Sequence, residues 1–213
     1  MNNLKVFVDF DETLFNHYSY LDWAEEFLGR FGINPGAYNK TVDSFHEHKG
    51  ENLRLYKHED HIFAATGKQW SYISGEFEKE LFTHNHDFCY ADTHAFLDQI
   101  TASSYDVRLL TYGSGEYQRY KINTCKKLTN LRIPVHVVSQ PKRVFLEKNF
   151  SDGPGILIDD KYPLHLPSGW VHVWISRKDE LSKPEFIKET NTIKVSNLQQ
   201  WDEALKLYSA ECS

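Results

Sequence analysis

An α/β fold, in which a mostly parallel sheet is covered by helices and carries a smaller helical subdomain, is predicted by three features of this sequence. Short runs dense in β-branched and aromatic residues, beginning with Val6-Phe7-Val8, read as buried strands. From about residue 86 these runs alternate with helical patterns, as parallel strands joined by crossovers require. Between the first run and the rest lies a stretch with helical spacing and no convincing strand.

Taken in order, Leu4–Val8 reads as the first strand. Leu21, Ala24, Phe27, Leu28 and Phe31 then recur at helical spacing, with Gly32 as the stop. A more polar stretch follows, helical in pieces, and Trp70, Ile73, Phe77 and Leu81 restore the helical period. Residues 16–85 are therefore expected to form a helical insert, and residues 1–15 and 86–213 the α/β core. Within the core, Phe96, Leu97 and Ile100 mark a short amphipathic helix. DVRLLTYG is a strand, EYQRYKINTCKKL a helix, PVHVVSQ a strand, KRVFLEKN a helix and GILIDD a strand. VHVWISR and TIKVS follow as strands, and a helix with Leu198, Trp201, Leu205 and Tyr208 on its packing stripe closes the chain. About five strands are expected.

The chain has 213 residues, long enough for one core with a subdomain, and an ordinary soluble composition of 40% hydrophobic and 25% charged residues. A formal net charge of −6 argues against a general nucleic-acid binder, since phosphate backbones select basic surfaces. No apolar run is long enough to span a membrane, and residues 4–8 are too short for the apolar region of a signal peptide. The three cysteines, Cys89, Cys125 and Cys212, are odd in number and show no CxxC spacing. A disulfide framework is not expected, and a reducing, cytoplasmic setting is.

In an open parallel sheet, ligands bind beyond the carboxyl ends of the strands where strand order reverses. Strand one ends in Asp9 and Asp11. The DVRLL strand ends in Thr111, followed by Tyr112 and Gly113. Lys142 opens the helix after VHVVS, and GILI ends in Asp159 and Asp160. Carboxylates gathered this closely repel one another unless a cation intervenes. An oxygen-only ligand set without His or Cys selects a hard ion, and carboxylates with water and phosphate oxygen describe a Mg²⁺ site. Asp9 and Asp11, two apart in extended backbone, point the same way and can serve one substrate as nucleophile and as acid/base.

DFDETL, LLTYG, Lys142 and ILIDD, in that order, resemble the four motifs of the haloacid dehalogenase (HAD) superfamily of phosphohydrolases. The resemblance covers roughly residues 4–14 and 90–205. It implies a Rossmann-like core with strand order 5-4-1-2-3 and a helical cap inserted after the first motif. It further implies that Asp9 forms an aspartyl-phosphate and that Asp11 is the general acid/base. Thr111, with Tyr112 and Gly113, would receive the phosphoryl group, and Lys142 would steady its charge. Asp9, the backbone carbonyl of Asp11, Asp159 and Asp160 would hold Mg²⁺. The activity implied is hydrolysis of a small phosphorylated metabolite or nucleotide. A phosphomutase of the same fold and a catalytically idle binding protein are the alternatives. A phospho-receiver module is disfavoured, because it places its acidic pair side by side and needs no cap.

Lys148, six residues beyond Lys142, competes for the lysine role. His46, His48, His58, His61, His84 and His86 have permissive spacings but complete no zinc pattern, and solvated histidines are the simpler account. Trp23, Phe27, Trp70 and Phe77 are expected to pack the insert. His17, Tyr18 and Tyr20 follow the first motif closely enough for one of them to meet substrate.

Overall fold

A computed structural model describes residues 4–34, 36, 73–83 and 86–211. Its elements are β1 (Lys5–Val8), α1 (His17–Gly29), α2 (Ser74–Thr83), α3 (Thr93–Ala102), β2 (Asp106–Tyr112), α4 (Gly115–Thr124) and α5 (Lys126–Leu131). These are followed by β3 (Val135–Val138), α6 (Lys142–Asn149), β4 (Gly155–Asp159), β5 (Trp170–Ile175), β6 (Glu185–Ile187), β7 (Thr192–Val195) and α7 (Trp201–Glu211).

The strands form one seven-stranded sheet in the order β3-β2-β1-β4-β5-β7-β6. Its first five positions are the expected 5-4-1-2-3, read from the other edge. All pairs are parallel except β6 with β7. The sheet therefore exceeds the expected five strands. β6 is a three-residue edge strand, Glu-Phe-Ile, too short and too polar at its start to announce itself by periodicity.

Alternation along the central strands supplies both faces. Val6 and Val8 of β1, with Ile156 and Ile158 of β4, join a large apolar cluster that includes Phe96, Ile122 and Trp201. Phe7 and Leu157 point the other way, into a smaller cluster with Leu146 and Trp170. Period-two side chains on strands buried on both sides explain the unbroken apolar runs. Gly155 is required by the second face: a Cβ there would meet the Trp170 ring at 2.7 Å.

EYQRYKINTCKKL, expected as one helix, is broken at Cys125, which ends α4 and opens α5. Two described helices, α1 and α2, fall within residues 16–85, toward the two ends of that range. Trp23 and Phe27 of α1 pack on Phe77 of α2 at ring-centroid distances of 4.9 and 5.2 Å, and Arg30 pairs with Glu80 at 3.1 Å. Phe27, Phe77 and Tyr20 belong to the same cluster as Phe10 and Phe15 of the core. Trp70 and the histidines at 46, 48, 58, 61 and 84 lie outside the described residues. No helix among the described residues is long and apolar enough to cross a membrane.

Candidate active site

β1 pairs with β2 on one side and β4 on the other, so the order reverses beside β1. The carboxyl ends of these three strands open onto a cavity of ≈ 790 Å³ among the described residues. That volume falls in the range of small-ligand sites, roughly 300–1,000 Å³. Asp9, Asp11, Thr111, Tyr112, Gly113, Lys142, Asp159 and Asp160 all line it. Lys148 is exposed near the end of α6, away from the cavity.

Lys142 is at the centre of one half of the site. Its Nζ lies 2.7 Å from Asp9 Oδ1 and 2.5 Å from Asp159 Oδ2, and Asp9 and Asp159 are both buried. Asp159 Oδ1 accepts the N–H of Lys161 at 2.8 Å, and Asp160 Oδ2 meets the Lys161 ammonium at 2.7 Å. Burial pushes the Asp9 carboxyl up to about 8, and Asp159 and Asp160 add to the rise against the pull of Lys142. Lys142 itself is raised: burial opposes its charge, but Asp159 and Asp9 outweigh that cost.

Asp9, Asp159 and Asp160 each offer a carboxylate oxygen within 4.8 Å of the others, and Asp160 Oδ1 is buried with no hydrogen-bond partner. Oxygen donors alone, too much negative charge for one ammonium, and an orphaned oxygen suit a hard divalent cation. The residues present therefore fit Mg²⁺.

The other half of the site surrounds Asp11, whose carboxylate stands apart from that group of three. Lys121, 1% exposed on α4, places Nζ 2.5 Å from Asp11 Oδ1. Gln118, one helical turn earlier, donates to Asp11 Oδ2 at 2.8 Å and to the Tyr112 carbonyl at 2.9 Å. His17 Nδ1 is 3.9 Å from Asp11. Burial pushes the Asp11 carboxyl up, but Lys121, His17 and Gln118 together hold it down at about 2. Sequence reasoning missed Gln118 and Lys121. Their signal is the i, i+3 spacing on the helix that follows Thr111-Tyr112-Gly113, which puts both on one face.

Thr111 is buried at the end of β2. The Gly113 N–H is used by the Val138 carbonyl at 2.9 Å. What Gly113 contributes is space: its φ is +154°, and a Cβ would lie 2.8 Å from the Gln118 amide nitrogen. Of the three residues after the first motif, His17 and Tyr18 line the cavity, whereas Tyr20 is fully buried in the core.

The loop that presents Asp11 is fastened from below. The Phe10 carbonyl accepts the N–H groups of Leu14 and Phe15, both at 2.9 Å, and Glu12 adopts φ +58°. That left-handed backbone is unfavourable for a side-chain-bearing residue and persists only where its surroundings fix it. Here they do. Glu12 Oε1 accepts the His17 N–H at 2.9 Å, and Oε2 accepts the Tyr90 hydroxyl at 2.5 Å. Arg177 donates to the carbonyls of Glu12 and Thr13 at 3.2 and 2.5 Å, grips Asp92 with two bonds of 3.1 and 3.2 Å, and stacks 3.6 Å above the Tyr90 ring. No motif in the sequence pointed to Arg177 or Tyr90.

No family profile and no curated protein matches the sequence. Solved structures do resemble it. A haloacid dehalogenase-like hydrolase from Burkholderia xenovorans LB400 superposes with a TM-score of 0.64 at 15% identity, over 96% of this chain and 99% of that one. The HAD-type protein YfnB from Bacillus subtilis, bound to magnesium, gives 0.57 at 11% identity over 99% of both chains. A 2-haloacid dehalogenase from Pseudomonas syringae gives 0.51 at 13% identity, over 97% and 99%. The chain has the HAD-like fold.

Proposed function

We propose that this HAD-fold chain is a phosphomonoester hydrolase that works through an aspartyl-phosphate on Asp9, with Mg²⁺ held by Asp9, Asp159 and Asp160. The observation that carries this reading is the separate environment of two carboxylates at the end of β1. Asp9 lies against Lys142 in the acidic group, and Asp11 is held on its own by Lys121 and Gln118. A haloacid dehalogenase expels halide, which needs no proton, and has no task for a second, separately held acid. Dehalogenases are among the proteins of similar fold, so that chemistry is the rival to test.

In the proposed first step, an Asp9 oxygen attacks phosphorus and the ester oxygen leaves with a proton from Asp11. In the second, Asp11 takes a proton from water, whose oxygen attacks the phosphorus and releases phosphate and Asp9. Lys121 favours the ionised form of Asp11 that the second step needs. The negative charge of an incoming phosphate ester acts the other way and raises Asp11 toward the protonated form of the first. Thr111 lies at the end of β2 as a hydroxyl donor to the transferring group, and Lys142 offsets charge on Asp9 and on phosphate. When bound, Mg²⁺ supplies further neutralisation of the clustered anionic oxygens.

The insert of residues 16–85 is proposed as a cap that closes over a small soluble phosphate ester, consistent with the cavity volume. The test is phosphate release from para-nitrophenyl phosphate with Mg²⁺ or with EDTA, for the natural chain and Asp9→Asn, alongside halide release from 2-chloropropionate. Mg²⁺-dependent phosphate release lost in Asp9→Asn is the expected result. Halide release without phosphate release would replace this reading with the dehalogenase one.

A further inference from the structure

Away from the cavity, Cys89 and Cys125 bring their sulfur atoms to 2.8 Å. The two residues belong to different elements. Cys89 lies on the segment that returns from the insert, where it bridges Phe15 of the first-motif loop. Cys125 is buried at the break between α4 and α5. Neither has a task in the proposed chemistry, and neither is bonded to another cysteine.

The two sulfurs have unequal surroundings. The hydrogen bond from Cys89, with the backbone N–H groups of Leu128 and Lys127, favours the Cys125 thiolate against burial, whereas Cys125, burial and Asp87 disfavour that of Cys89. Cys89 is half-buried and accessible from solvent. Beside it, Asp87 accepts the Cys89 N–H at 3.0 Å and pairs with His94 at 2.5 Å. A partly exposed sulfur in front of a buried one is the arrangement in which the exposed one reacts with an outside disulfide and the buried one resolves.

We propose that Cys89 and Cys125 form a reversible dithiol–disulfide site that is oxidised by low-molecular-weight disulfides. The Cys89 sulfur attacks one sulfur of RSSR as it loses its proton, and the departing RS⁻ takes that proton up. The Cys125 thiolate then attacks the Cys89 sulfur of the mixed disulfide and expels the second RS⁻, which takes the Cys125 proton. Two electrons pass from the cysteine pair to RSSR, giving one protein disulfide and two RSH. A disulfide is about 2.05 Å long, so closure from the observed separation needs a shift of less than about 1 Å. The bond ties the return from the insert to the end of α4, the helix whose Gln118 and Lys121 hold Asp11. This site stands independently of the phosphatase reading.

The experiment incubates the full chain with oxidised glutathione under native conditions, quenches with acid, then denatures, alkylates and maps peptides by mass. A Cys89–Cys125 linked peptide in most chains, lost on dithiothreitol treatment and absent from Cys89→Ser and Cys125→Ser, is expected. Cys212, the third cysteine, is mapped in the same digest. Three outcomes overturn the proposal: full alkylation of both residues in the natural chain, a glutathione adduct on Cys89 beside an alkylated Cys125, or linkage through Cys212. So does protection of the pair before any oxidant is added that a chelator then abolishes. That result would mean a metal held with Asp87 and His94, which group with Cys89 within 4.8 Å. Should either serine variant fail to fold, the linked peptide in the natural chain decides alone.

Discussion

Arg177→Ala removes the side chain that fastens the Asp11 loop to the rest of the core. Arg177 is 17% exposed and its partner Asp92 8%, so the pair is largely withdrawn from water. Truncating one member of a buried, doubly bonded ion pair costs roughly 3–5 kcal/mol, because the other charge stays buried without compensation. Asp92 keeps the Leu198 N–H at 2.7 Å, which places the loss near the lower end of that range. The stack on Tyr90 adds on the order of 1 kcal/mol. The carbonyls of Glu12 and Thr13 lose a charged donor, and because Thr13 is fully buried only water entering the space left by the truncated side chain can replace it. The expected total is about 3–4 kcal/mol. Urea unfolding with a slope of about 2–3 kcal/mol/M reads this as a midpoint lower by about 1–2 M. Arg177→Ala combined with Asp92→Asn is expected to cost less than Arg177→Ala alone, because the abandoned carboxylate is gone. A loss below about 1 kcal/mol for Arg177→Ala, or a double variant that merely sums the single ones, would refute the clamp.

Other perturbations probe separate parts of the molecule. Gly155→Ala forces a Cβ against the buried Trp170 ring and is expected to cost about 1–3 kcal/mol in thermal unfolding; an unchanged Tm would show that the ring yields freely. His172 is buried in β5, and burial pushes its imidazole down to about 4 from an ordinary 6.5. The unfolded chain therefore takes up the proton first as pH falls. The stability that neutral His172 contributes is intact above about pH 6.5 and declines by about 3 kcal/mol toward pH 4. His172→Phe should flatten that part of the acid limb, and parallel curves for the two chains would count against it. Lys121→Met removes the ammonium that counters burial at Asp11, so the acidic limb of the pH–rate profile for para-nitrophenyl phosphate should move to higher pH. An unmoved limb would detach Asp11 from that ionisation.

The alternation of Val6, Phe7 and Val8, and again of Ile156, Leu157 and Ile158, was legible because a strand buried on both faces needs apolar residues at every position. That the expected site residues would share one edge and one cavity was legible for a related reason. Asp9, Thr111 and Asp159 each terminate such a run, and the ends of parallel strands lie at one edge. The break at Cys125 was not, since nothing in KINTCKKL breaks a helical period. Edge strand β6 was hidden by its length and composition, and its pairing with β7 is a long-range event that three residues cannot encode locally.

By itself, the sequence determined which residues are apolar on both faces of a strand and which acids end those strands, because both are local properties of a few neighbouring side chains. Only the tertiary structure decided what each acid faces. Asp9 and Asp11 are equivalent in sequence pattern, yet one meets Lys142 and two further carboxylates and the other meets Lys121 and Gln118. Those partners arrive from α4, from α6 and from the end of β4, all more than a hundred residues along the chain. Ionisation depends on burial and on charges within a few ångströms, whatever their distance in sequence. The same reason hid Arg177 beneath the loop and Cys125 behind Cys89, for each acts through a neighbour that only folding supplies.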